Sequence, residues 1–238
     1  MSALILAVAV ASVSPSKSVS PSETAEQLKV ESLGEAEARL RREVQTGSLL
    51  VTQGDCLAIR VYTQSPYTHV AAVVIRNGQP FVYDSANGVG SRCLTLKNYI
   101  VSQSPSEIHL FQPLREFNPA RRRKFETSLD GQLGRPYGIR HHLTGERAAG
   151  LHCSEYVTDA LQYCGVIRAR RPSRVSPASL VLGITQHDLY LASLKVRVQP
   201  PQSDSVPATE SWCSQLWNDT RACTAECYRK TKSWVFCQ

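Results

Sequence analysis

Cys153, His69 and Asp84 are candidates for nucleophilic acyl chemistry by side-chain type and spacing. Cys153 opens the stretch CSEYVTDALQYCG, in which Cys153, Val157, Ala160, Leu161 and Cys164 recur at helical spacing and Gly165 supplies a stop. The spacing predicts a helix with that face buried and with the cysteine in its first turn. Helix starts prefer Ser, Thr, Asp or Asn, whose oxygens accept unpaired backbone N–H groups, so a cysteine there is a poor cap. The same unpaired N–H groups and the positive end of the helix dipole stabilise a thiolate. The alternative for any such cysteine is a small buried residue, and that is the reading for Cys164 and Cys56.

A thiolate of this kind works with a base. The six histidines are His69, His109, His141, His142, His152 and His187. His152 adjoins Cys153 in sequence, and successive residues point in different directions, so it is badly placed. His69 begins a run, HVAAVVIRNGQPFVYDSA, with the Asn77-Gly78 dipeptide that favours a two-residue hairpin turn. If Arg76 pairs with Gln79, partners sum to 155 and His69 lies opposite Ala86. Asp84 then shares a face with Ala86 and reaches His69 diagonally. Nucleophile, base and orienting acid are the components of a Cys-His-acid triad. Tyr67 and Tyr137 are candidates to line the cleft as substrate-binding residues. Glu155 suits the dipole of the Cys153 helix, and Asp55 reads as a turn or capping residue.

These residues must be positioned by a main domain at 23–200. A helix with a break at Gly34 is expected over 23–47, carried by Leu33, Ala36, Leu40 and Val44, and Gly54-Asp55 marks a turn before an apolar strand. After the Asn77-Gly78 hairpin, SEIHLFQPL reads as a strand. Asn118 and Pro119 then open a helix that Gly134 would end. SPASLVLG reads as a short helix and LYLASLKVRV as a last strand. Helix, strands, helices and strand in that order predict an α+β domain, an antiparallel sheet packed against helices, rather than alternating βαβ units.

Residues 1–22 are of another kind. The run Ala3–Ala11 ends in Ala9-Val10-Ala11, the small-x-small pattern of an export signal, and SVSPS occurs twice around Lys17 as a linker. Export to the periplasm or the exterior is therefore expected, the rival being a disordered or mis-started N-terminus. A Pro/Ser linker at 201–211 precedes a tail, 212–238, holding Cys213, Cys223, Cys227 and Cys237. That density suggests a small disulfide-stapled appendage. Zinc is the rival, but its ligands usually come in closer pairs and the tail has no histidine. The tail resembles an inverted helical hairpin, whose pairing would be Cys213–Cys237 and Cys223–Cys227, one of three connectivities open to four cysteines.

The formal charge is +7 and the sequence pI about 9.1, which suits peripheral contact with an anionic surface. The basic clusters ARRRK and RARRPSR lack interleaved aromatics, so they read as solvated faces, and no nucleic-acid partner is expected. No run of eighteen apolar residues is present to span a bilayer.

The blocks GDCLAIRVYTQSPYTHVAAVV, VYDSANGVG, LGRPYG and HCSEYVTDAL together resemble the permuted papain-fold amidases, the YiiX-like branch of the NlpC superfamily, distantly akin to lecithin:retinol acyltransferase. The resemblance spans about residues 47–185. It implies a circularly permuted papain-like domain in which the histidine precedes the cysteine. It also implies Cys153 as nucleophile, His69 as base, Asp84 as orienter, and backbone N–H groups at Cys153 binding the oxyanion. The activity implied is a thiol hydrolase, an amidase, peptidase or esterase working through an acyl-enzyme, with no metal or organic cofactor. Two substrate classes follow from the likeness, cell-wall peptide and lipid acyl groups, and with the second a lipid acyltransferase. A non-catalytic binding module that keeps the fold is a rival of another class. A third reading makes the stapled tail the functional part.

Overall fold

The computed structural model describes residues 30–53, 65–138 and 149–199. In chain order the elements are β1 (Val30–Glu31), α1 (Leu33–Glu43), β2 (Leu49–Gln53), β3 (Tyr67–Arg76), β4 (Gln79–Ala86), β5 (Gly90–Thr95) and α2 (Leu96–Gln103). There follow β6 (Glu107–Pro113), α3 (Pro119–Asp130), α4 (Cys153–Tyr163), a 3-10 turn (Pro172–Arg174), α5 (Pro177–Gln186) and β7 (Tyr190–Val198). The strands form one sheet in the order β1-β7-β6-β2-β3-β4-β5. Only the short β1–β7 contact is parallel; every other pair is antiparallel. The α+β expectation therefore holds for the described residues.

Both faces of the sheet are covered. Val70, Ala72 and Val74 of β3 face one core, with Phe125 and Leu129 of α3, Tyr156, Val157, Ala160 and Leu161 of α4, and Leu180 and Ile184 of α5. Ala71 and Val73 face the other, with Ala36 and Leu40 of α1 and Leu96, Tyr99 and Ile100 of α2. A strand buried on both sides has no polar alternation, which is why HVAAVVI is an unbroken apolar run.

Several boundaries differ from the expectation, each for a local reason. Helix α1 starts at Leu33 because Ser32 and Glu35 form a reciprocal capping box; Gly34 is its second residue rather than a break, and Val30–Glu31 pair with β7 instead. The expected helix over 23–29 lies outside the described residues. Helix α3 has the expected Asn118 cap and Pro119 but ends at Asp130. Gly134 sits beyond it in a turn, its N–H donating to the Ser91 carbonyl at 2.9 Å. Strand β5 and helix α2 were not anticipated at all. The chain turns from β4 into β5 through Asn87-Gly88-Val89, with Gly88 and Gly90 at positive φ. The strand expected after Gly54-Asp55, Cys56, the 201–211 linker and the cysteine-rich tail also lie outside the described residues.

Candidate active site

Helix α4 begins where its sequence says, but its cap is the preceding residue. His152 holds the N-cap position, and its Nδ1 accepts the Glu155 N–H at 3.3 Å. Cys153 is thus the first helical residue, and its thiol is buried at 5 % exposure. The amides of the first turn have no acceptor within the helix. The face expected to be buried is buried, and Ser154, Glu155, Tyr156 and Thr158 are buried as well. The helix start is held from both sides. Ser154 Oγ donates to the Val175 carbonyl at 2.6 Å, and Ser85 Oγ of β4 donates to the Leu151 carbonyl at 2.7 Å.

The β3–β4 ladder has the register expected from the turn, from Arg76–Gln79 to Ala72–Tyr83. Beyond that pair His69 and Asp84 meet, His69 Nε2 to Asp84 Oδ2 at 3.1 Å. The carboxylate accepts from Nε2, which leaves Nδ1 as the ring nitrogen available to the thiol. The imidazole lies over the ring of Tyr99 in α2, centroids 6.3 Å apart and 27° from coplanar.

Asp84 is wholly buried and more heavily supported than the sequence suggested. Arg92, its cross-strand partner in β5, donates from Nε to Oδ1 at 2.8 Å and from its terminal nitrogen to Oδ2 at 3.2 Å. Gln103 at the end of α2 donates to Oδ2 at 2.9 Å. Burial opposes the carboxylate charge, but His69 and Arg92 outweigh it and hold its pKa below the usual value.

Electrostatics tie the three residues together. Burial alone would keep His69 neutral; the Cys153 sulfur and the Asp84 carboxylate overcome it and raise the imidazole pKa. Burial likewise opposes the Cys153 thiolate, and His69 followed by His152 overcomes it and lowers the thiol pKa. The other described cysteines go the opposite way. Burial pushes Cys164 up to about 11, and its Sγ donates to the Leu161 carbonyl. Burial also raises Cys93. All three thiols are free.

The expectation that His152 is badly placed needs correction. The ring adjoins the thiol of its neighbour, whose charge helps to raise the histidine's pKa against the effect of burial. Its Nε2 donates to the Ser173 carbonyl at 2.9 Å. Adjacent residues diverge inside a helix, but a cap lies outside it, in extended backbone, and its side chain folds back over the first turn. Of the remaining candidates, Tyr67 packs on the same core as Cys153. Tyr137 is half-buried and forms an isolated backbone bridge with Leu151, two residues before the cysteine. Glu155 is buried in the first turn of α4, its Oε2 3.8 Å from His152 Nε2. His141, His142 and Asp55 lie outside the described residues.

Arg92 and Gln103 have no place in the sequence-based expectation, and His152 is set aside in it. The first had a signal: with Ala86 opposite Gly90, partners sum to 176 and Arg92 falls opposite Asp84. A cavity of about 480 Å³ lined by Leu114, Phe117, Arg121 and Val166 sits past the other end of α4, remote from the thiol. Among the described residues no group of three or more His, Cys, Asp or Glu could hold a metal ion, and no helix is long and apolar enough to cross a membrane.

No protein-family model matches the chain, and no curated protein matches it. Among solved structures it is similar to metalloprotein YiiX (DUF1105) from Escherichia coli O157:H7. The two are 20% identical with a TM-score of 0.46, over 68% of this chain and 93% of that one.

Proposed function

We propose that the chain is a thiol hydrolase in which Cys153 attacks an amide or ester carbonyl. The support is one arrangement: a cysteine at the first position of a helix, its pKa lowered by a histidine whose far nitrogen is 3.1 Å from a buried, ionised aspartate. Cys153 rests as a thiolate beside the His69 imidazolium. The sulfur adds to the carbonyl carbon, and the first-turn amides of α4 stabilise the resulting oxyanion. His69 gives its proton to the departing amine or alcohol, leaving an acyl-enzyme. It then takes a proton from water as the water oxygen bonds to the acyl carbon; the C–S bond breaks, the acid is released, and the thiolate–imidazolium pair is restored. Asp84, fixed by Arg92 and Gln103, keeps Nε2–H directed at itself and Nδ1 directed at the sulfur. No step requires a metal or an organic cofactor. The order histidine, aspartate, cysteine along the chain is that of a permuted papain-like enzyme. The substrate proposed is cell-wall peptide or lipid acyl material met outside the cytoplasm.

The reading is tested by alkylating the intact protein with iodoacetamide across a pH series and mapping the label by mass spectrometry. Cys153 is expected to react at about pH 6, more than two units below the ordinary thiol pKa of about 8.5, while Cys93 and Cys164 do not. In His69→Ala its reaction should rise only as pH approaches the ordinary thiol range. Equal, ordinary titration of Cys153 in both proteins would sink the hydrolase reading in favour of a binding module.

A further inference from the structure

Two positions from His69 along β3, at the same end of the sheet, begins a second polar array that the proposed chemistry does not use. Residues Thr52 and Gln53 of β2 pair with His69 and Tyr67, so Thr68 is the extra residue of a β-bulge. A bulge reverses the side on which the next residue lies. Tyr67 therefore leaves the side of His69 and joins the core that holds Cys153, with its ring edge-on to His109 and Phe111.

The phenol oxygen lies 3.0 Å from His109 Nδ1, and His109 Nε2 hydrogen-bonds Glu107 Oε1. Gln53 Nε2 and Lys195 Nζ reach Glu107 Oε1 at 2.7 and 2.8 Å, and Arg197 Nε reaches Oε2 at 3.3 Å. The protons can be assigned from these partners. Burial opposes the Glu107 charge, but Lys195, His109 and Arg197 outweigh it and lower its pKa, so the carboxylate only accepts. His109 Nε2 therefore carries a proton, and in that tautomer Nδ1 accepts from the Tyr67 O–H. Burial, and then Glu107, raises the phenol pKa and keeps that proton on oxygen. With its one hydrogen turned toward His109, the half-buried Tyr67 oxygen offers only lone pairs on its exposed side.

We propose that Tyr67, oriented by His109 and Glu107, is a specificity-determining subsite that accepts a backbone N–H of a peptide substrate beside Cys153. The proposal rests on the hydrolase reading and selects between its substrate classes. A fatty acyl chain has no N–H to give. Laid against this row it would strip water from Tyr67, Lys195 and Arg197 with no hydrogen bond in return. Two cations around one carboxylate also leave a surplus positive charge, which suits a peptide carboxylate further along.

The test measures binding separately from chemistry. Acetyl-trialanine, and the analogues in which one amide N–H at a time is replaced by an ester oxygen, are titrated into full-chain Cys153→Ala protein by NMR. Methyl laurate is titrated alongside. One ester analogue should bind about fivefold more weakly than the peptide, the worth of a single neutral hydrogen bond. Adding Tyr67→Phe should weaken the peptide to that same level and abolish the difference, since the ring and its edge contacts remain. The subsite is overturned if the peptide does not bind, if all analogues bind alike, if the preference survives Tyr67→Phe, or if methyl laurate binds more tightly than the peptide. An ordinary thiol at Cys153 together with an N–H preference lost in Tyr67→Phe would reject the hydrolase and keep the subsite.

Discussion

Asp84 has a double role, because the carboxylate that orients His69 also neutralises Arg92, whose side chain is 20% exposed. Its lowered pKa makes it a source of pH-dependent stability. A carboxyl group depressed in the folded state contributes fully above its unfolded value of about 3.9. The contribution is lost as pH falls through the folded value. Asp84→Asn keeps the shape but leaves Arg92 short of a partner. It should destabilise the protein at neutral pH by about 2 kcal/mol, the scale of hydrogen bonds to a charged group. In acid the variant and the parent should converge. Thermal unfolding of both proteins from pH 7 to pH 2 measures the two curves, and a constant offset down to pH 2 would contradict the assignment.

Between elements, the site depends on a backbone clasp that binds β5 to the chain leading into α4. Ser91 N–H donates to the Arg135 carbonyl at 2.9 Å, Leu151 N–H to the Pro136 carbonyl at 2.9 Å, and Gly138 N–H to the Leu151 carbonyl at 3.2 Å. Gly90 makes the approach feasible. It has φ +91, and a Cβ there would stand 2.3 Å from the Arg135 oxygen. Gly90→Ala should cost about 2 kcal/mol or more from strain alone. Val89→Ala, at a neighbouring position 62% exposed, should stay within about 0.5 kcal/mol. Denaturant unfolding of both variants checks the pair.

Much at this scale was legible, and what was missed shares a cause. The Asn77-Gly78 turn gave the β3–β4 register, and the spacing of Val157, Ala160 and Leu161 gave the buried side of α4, since both are local signals. Strand β5 has no apolar run over Gly90-Ser91-Arg92 to mark it, and the bonds of Ser91 to Arg135 that anchor it span more than forty positions. The bulge at Thr68 was invisible because it is a property of the pairing with β2, and with it went the position of Tyr67. Glu107 and His109 carry no local signal beyond the strand pattern of SEIHLFQPL.

At the scale of the whole molecule, the sheet order has a mechanical consequence. Val30 lies beside Arg197 and Glu31 beside Val198, so the described chain enters and leaves at one corner, on parallel strands. Tension applied at residues 30 and 199 loads that two-residue contact in shear. Once it slips, the force peels β7 from β6 starting at the Arg197–Glu107 pair. The first side chains pulled away are Arg197 and Lys195, while His69 on β3 and Asp84 on β4 lie across the sheet beyond β6 and β2. A stretched molecule would therefore lose its grip on Glu107 before its nucleophile is disturbed. Optical-tweezers extension should show a small early rip, and that rip should move to lower force in Arg197→Ala while the main unfolding event stays in place.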